Sequence, residues 1–150
     1  MFKHILLPTD GSKPSDIAVK QAINLAKGLG AKITAIHVMP NAEAYVSERY
    51  KVLPALAAPV KNKYKKEAAA LAKEILDQVG AAATDAGVEC EAVSVTSDSP
   101  YEAIVKQATK SRCDVIVMAS HGRRGLQGIL LGSETQKVLT HSTIPVLVCR

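Results

Sequence analysis

Between Val115 and Ser133 an apolar run breaks into a loop carrying Gly122, Gly125, Gly128 and Gly132, with His121, Arg123 and Arg124 among them. Ser133, Glu134, Thr135 and Gln136 follow directly. A hydroxyl with Gln three residues on predicts a capping box that opens a helix. Strand, glycine-rich loop and helix N-terminus in that order offer free backbone N–H groups and the positive end of a helix dipole, which suits phosphate. The segment reads equally as a long turn whose glycines only permit unusual backbone angles. Taken alone, it leaves the two readings level.

The other residues able to do chemistry are fewer. Asp10, in the cluster Pro8, Thr9, Asp10, Gly11, Ser12, either caps the following loop or helix or accepts hydrogen bonds from a ribose, and the two roles are compatible. Ser120, His121 and Asp10 could form a hydrolase-like trio. Neighbouring Ser and His in one loop rarely aim the base at the hydroxyl, so no catalytic residue is assigned. His4 and His37 fall within strand patterns and read as satisfied core or edge histidines. The four histidines show no ligand spacing, and no metal site is expected. A Walker-type loop is absent because no Lys precedes Ser133. The dinucleotide fingerprint and the Gly-x-Ser-x-Gly elbow are absent too.

The elements that must position these residues follow from periodicity. Short apolar strands are predicted at Lys3 to Leu7, Ala31 to Met39, Val88 to Val95, Asp114 to Met118 and Pro145 to Cys149. Helices are predicted from Ser15 to Leu29, with Gly28 and Gly30 as stop signals, and from Val60 to Ala86 along Tyr64, Ala68, Leu71, Ile75, Val79, Ala82 and Ala86. Ser99 and Glu102 form a second capping box with Pro100 at N1, opening a helix to about Lys110, and a last helix spans Ser133 to His141. Asn41 to Pro59 is irregular and reads as a loop or short helix. Five strands alternating with helices over residues 1–150 predict one α/β domain, a five-stranded parallel sheet with helices on both faces. In such sheets ligands bind beyond the carboxyl ends of the strands, where strand order reverses. That rim would gather Pro8 to Gly11, His37 to Met39 and Met118 to Gly125.

Composition narrows the partners. Hydrophobic residues at 47% and charged residues at 22% are ordinary for a globular chain, and no apolar run approaches a membrane span. Met1 to Leu7 meets Pro8 too soon for a signal-peptide core. Cys90, Cys113 and Cys149, each in an apolar context, fit reduced thiols in a cytosolic protein. The net charge of +5 is densest at Lys61 to Lys66, which leads into a helical pattern and reads as a solvated face. With no Trp and one Phe, platforms for stacking nucleic acid are scarce. Neither nucleic acid nor membrane is expected as a partner.

Three segments carry a family likeness. Ile5 to Ser12 resembles the opening strand and turn of the universal stress protein family. Ala119 to Gly122, then nine residues, then Gly132 and Ser133 resembles that family's nucleotide loop, Gly-x-x-Gly-x9-Gly-Ser/Thr, and Pro145 to Arg150 resembles its C-terminal strand. The resemblance covers the whole chain in the same element order. It implies a Rossmann-like α/β domain, cytoplasmic, homodimeric through the last strand, acting in stress responses with an unidentified protein partner. It also implies ATP or another adenine nucleotide as ligand, with or without Mg²⁺. By that resemblance Pro8, Thr9 and Asp10 flank adenine and ribose, with Asp10 on the ribose hydroxyls. Val38 meets the adenine edge through its backbone. Met118, His121, Gly122, Gly132, Ser133 and Glu134 line ribose and phosphates, largely through main-chain N–H groups. Arg123 and Arg124 pair with phosphate oxygens or remain solvated. One position departs: the loop's first glycine is Ala119, whose methyl is harmless at ordinary negative φ but crowds a phosphate if the backbone must approach closely. That departure keeps open an interaction dimer of the same fold without nucleotide; a slow ATP hydrolase ranks behind both. The last strand, apolar and expected at a sheet edge, would be covered by its own copy across a two-fold axis.

Overall fold

Strands of alternating or continuous Ile, Leu and Val bury both faces of a sheet, and helices with one apolar stripe cover them. The computed structural model describes residues 1–49, 54–122 and 131–150. Its elements run β1 (His4–Pro8), α1 (Lys13–Leu29), β2 (Lys32–Met39), α2 (Ala42–Arg49), α3 (Pro54–Asp85), β3 (Cys90–Thr96), α4 (Pro100–Lys110), β4 (Val115–Ala119), α5 (Ser133–His141) and β5 (Val146–Cys149). The sheet is parallel throughout, in the order β3-β2-β1-β4-β5. This is the expected Rossmann-like α/β fold.

The period of two along each strand divides the core. Ile5, Leu7, Ile33, Ala35, Val115 and Val117 face α1 and α3, where Ala22, Ala26, Val79 and Ala83 meet them. Leu6, Ile36, Ile116 and Met118 face the other way, onto Ile104 and Ala108 of α4 and Val138 of α5. His4 and His37 are buried and bonded, as the strand pattern predicts: His4 Nε2 lies 2.8 Å from Thr34 Oγ1, and His37 Nδ1 lies 2.9 Å from the Thr9 carbonyl.

Several local expectations are corrected. Helix α1 begins at Lys13, two residues before the predicted start, because Ser12 caps it through Ser15 N–H and Pro14 suits the first turn. Gly30 is its left-handed C-cap, whereas Gly28 lies within the helix. Residues 42–49 form α2, the short-helix alternative for that stretch, whereas α3 starts at Pro54, ahead of the predicted Val60, and runs through Pro59. The stripe of α3 that meets the core is Ala72, Ile75, Leu76, Val79 and Ala83; Leu71 and Ala82 are exposed. Neither capping box forms. At α5 the N-cap is Gly132, so Ser133 is the first helical residue and Gln136 Nε2 donates to the Leu131 carbonyl instead. At α4 Ser99 is the N-cap but its side chain makes no capping bond.

Candidate functional site

Strands β1 and β4 lie side by side, with Ile5 opposite Val115 and Leu6 opposite Ile116. From β1 the order proceeds to β2 and β3 on one side and to β4 and β5 on the other, so their carboxyl ends flank the switch point. The turn after β1 and the loop after β4 therefore meet at one rim, together with the N-terminus of α5.

Short-range hydrogen bonds hold the first turn. Thr9 N–H donates to the Ile36 carbonyl at 3.0 Å, and Thr9 Oγ1 accepts from Ser15 Oγ at 2.8 Å. Thr9 is only 7% exposed, with its N–H, carbonyl and hydroxyl all hydrogen-bonded within the protein. Asp10 Oδ1 accepts from Ser12 N–H at 3.0 Å, the capping role expected for Asp before Gly-Ser. Pro8 and Asp10 are half-buried, and Val38 is partly buried against the α4 side of the core.

Past β4, Ser120 N–H donates to the Cys149 carbonyl at 2.8 Å, and Gly132 N–H donates to the Ser120 carbonyl at 2.7 Å. The second bond closes the loop at its base and sets the start of α5. Thr135 Oγ1, donating to the Ala119 carbonyl at 3.0 Å, ties the helix to the strand end. Both matched glycines are points of close approach. A Cβ on Gly132 would lie 3.1 Å from His121 Cα, and a Cβ on Gly122 would lie 2.5 Å from Asp10 Oδ2. So the two halves of the motif touch each other, and the Asp10 carboxylate rests on the Gly122 backbone.

The departure at Ala119 is absorbed by the fold. Its φ lies outside the left-handed region, and its methyl belongs to the α1-side core beside Val117 and Cys149. Met118 is likewise buried. Ser133 is exposed, and the N–H groups of Ser133, Glu134 and Thr135 open the helix without intrahelical acceptors. The Glu134 carboxylate is engaged elsewhere: Oε2 accepts Tyr101 N–H at 2.9 Å, taking over the cap of α4 that Ser99 does not supply, and Oε1 accepts from Lys137 Nζ at 2.9 Å. Arg123, Arg124, Gly125, Leu126, Gly128, Ile129 and Leu130 lie outside the described residues.

Ser120 Oγ and His121 Nδ1 do approach, at 3.0 Å, closer than loop neighbours were expected to. Ser120 is only 3% exposed, yet it lines the neighbouring cleft together with His121. A cleft of about 200 Å³ lined by Lys13, Ile17, His121 and Arg150 lies beside the pair on the α1 side. Sequence reasoning missed Thr135 and the partnership of His37 with Thr9. The strand pattern marked His37 as a satisfied histidine, but not its partner.

A model of the universal stress protein family matches residues 1–150. Universal stress protein MJ0577 of Methanocaldococcus jannaschii is 31% identical over 156 residues, covering all of this chain and 96% of its own. Its solved structure superimposes with a TM-score of 0.79, covering 99% and 95% of the two chains at 33% identity. A universal stress protein solved in complex with cAMP shares the fold at 23% identity and a TM-score of 0.68, covering 99% and 97% of the two chains. The universal stress protein of Archaeoglobus fulgidus in complex with dAMP does so at 18% and 0.69, covering 100% and 98%.

Proposed function

This chain belongs to the universal stress protein family, and from that premise we propose that its β1–β4 rim binds ATP or a related adenine nucleotide as a regulatory ligand. The observation that carries the reading is the contact between the two halves of the motif, Asp10 on Gly122 and Gly132 on His121. It leaves a ribose-binding carboxylate within reach of a helix N-terminus whose first N–H groups are open to phosphate. The cAMP and dAMP complexes of fold relatives support an adenine nucleotide as the class of ligand.

In this reading Pro8 and the main chain of Thr9 and Val38 flank the base, and Asp10 accepts from the ribose hydroxyls. His121 and Gly122 border the ribose, while Gly132, Ser133 and Glu134 present main-chain N–H groups to phosphate. Met118 and Ala119 support the rim from the core, and Arg123 supplies charge to the phosphates. Among the described residues no group of three or more His, Cys, Asp or Glu could hold a metal ion.

The protein acts as a cytosolic homodimer. Among the described residues strand β5 pairs only with β4 and leaves Leu147 45% exposed at an open edge, which a second copy covers. Among the described residues no helix is long and apolar enough to cross a membrane. Heat-extraction of the purified protein, followed by anion-exchange chromatography of the supernatant, tests the ligand. An adenine nucleotide released in proportion to protein supports the reading, and a blank supernatant together with no saturable uptake of added nucleotide overturns it.

A further inference from the structure

Helix α5 carries an acid in its first turn, where the rim would receive phosphate. Gly132 is the N-cap, so Glu134 is the second helical residue, and its own N–H is among the donors left open at the helix start. A Glu carboxylate reaches at most about 5 Å from its Cα, so its charge stays close to those donors in every rotamer. An acid in a first turn stabilises a helix by offsetting the positive end of the dipole. The same offset weakens the attraction that end holds for phosphate.

The charge is pinned in place. Oε2 accepts Tyr101 N–H at 2.9 Å, and Oε1 accepts from Lys137 Nζ at 2.9 Å. Lys137 Nζ also lies over the Tyr101 ring, 5.5 Å from its centroid, and His141 packs on that ring with centroids 4.9 Å apart. The carboxylate is thus held between the N-termini of α4 and α5, with one cation beside it. Both members of the pair are partly solvated, so each acts on a nearby anion through a screened field, and with opposite sign. A carboxylate repels a polyphosphate more than a monophosphate because each added phosphate brings further negative charge. Resting on the adenine-nucleotide reading of the rim, we propose that Glu134 is a specificity-determining residue: its carboxylate penalises each phosphate beyond the first, and Lys137 limits that penalty.

The test is titration calorimetry of the whole, ligand-stripped protein with AMP and ATP at low salt, and the readout is the ratio of their affinities. Glu134→Gln keeps an acceptor for Tyr101 N–H and removes the charge. It is expected to move the ratio towards ATP by about threefold or more, the effect of one charge acting over several ångströms in a partly solvated setting. Lys137→Gln leaves the cap of α4 in place, removes the counter-ion, and is expected to move the ratio towards AMP. Both shifts should shrink at high salt. A Glu134 that only caps α4 would change both affinities equally and leave the ratio alone. An unmoved ratio in either folded variant, or shifts of the same sign in both, would overturn the proposal. Lys137→Gln decides it if Glu134→Gln does not fold. If the native protein binds neither nucleotide, the reading of the rim fails and this assignment falls with it; if it binds both and the ratio stays fixed, only this assignment fails.

Discussion

Replacing Gly122 by alanine places a methyl 2.5 Å from Asp10 Oδ2, where ordinary contact begins at 3.4 Å. The carboxylate must withdraw by the difference, about 0.9 Å, or turn aside. It is not free to do both, because Oδ1 is held by Ser12 N–H at 3.0 Å. A hydrogen bond to a charged group contributes about 1.5–3 kcal/mol, so losing one to the ribose weakens nucleotide binding by roughly 10- to 150-fold. Stability is expected to move far less. The strain on the Asp10 turn opposes a gain of about 0.4–1 kcal/mol from restricting the unfolded chain. Titration calorimetry with ATP gives the affinity, and urea unfolding gives the stability. The effect must act through Asp10, so in an Asp10→Ala background Gly122→Ala should cost almost nothing further. An unchanged affinity in the single variant, or the full loss persisting without Asp10, would refute the reasoning.

Three further outcomes follow from the described contacts. Glu134→Ala removes the carboxylate that caps α4 at Tyr101 N–H and should lower stability by about 1 kcal/mol, about 2–4 °C in melting temperature for a chain of this size, checked by calorimetry. Leu147→Lys places a charge on the exposed face of the β5 edge and should give a monomer by light scattering where the native chain gives a dimer. Stability should fall on both sides of neutrality. Burial pushes the Cys113 thiol from 9.0 up to about 11, so across that window the unfolded chain releases a proton the folded chain holds, and stability drops as pH rises. Burial, then the charge of Lys32, holds His4 below its ordinary 6.5. The unfolded chain therefore takes the proton first, and stability drops as pH falls below 6.5. Urea titrations across pH of native protein, Cys113→Ala and His4→Gln should show the respective limb flattened in each variant.

The sheet was legible because its strands are short apolar runs punctuated by Pro and Gly, and a parallel order leaves few ways to arrange them. Element boundaries were read less well where one residue type serves two purposes. Pro59 looked like the end of a loop, yet it sits near the start of a 32-residue helix, where the one N–H it lacks is a small fraction of the helix's bonds. Ser133 looked like a cap because hydroxyls usually are. The N-cap falls on Gly132 because its Cα packs against His121, where a side chain would be crowded. The cap of α4 was not readable from its own residues at all, since the carboxylate comes from Glu134, 33 positions later. The same holds at the rim. Pro8 to Ser12 and Ala119 to Ser133 could each be read as loop chemistry, but the contact of Asp10 with Gly122 exists only in three dimensions. Ala119 illustrates the converse: a departure from the motif that left two outcomes open in the sequence has its methyl in the core.

The most direct measurement is titration calorimetry of ligand-stripped protein with ATP, ADP and AMP, each with and without Mg²⁺. The account predicts saturable binding of at least one adenine nucleotide at one site per chain, weakened by roughly 10- to 150-fold in Asp10→Ala. No saturable heat with any of them, from protein shown to be folded, would contradict it.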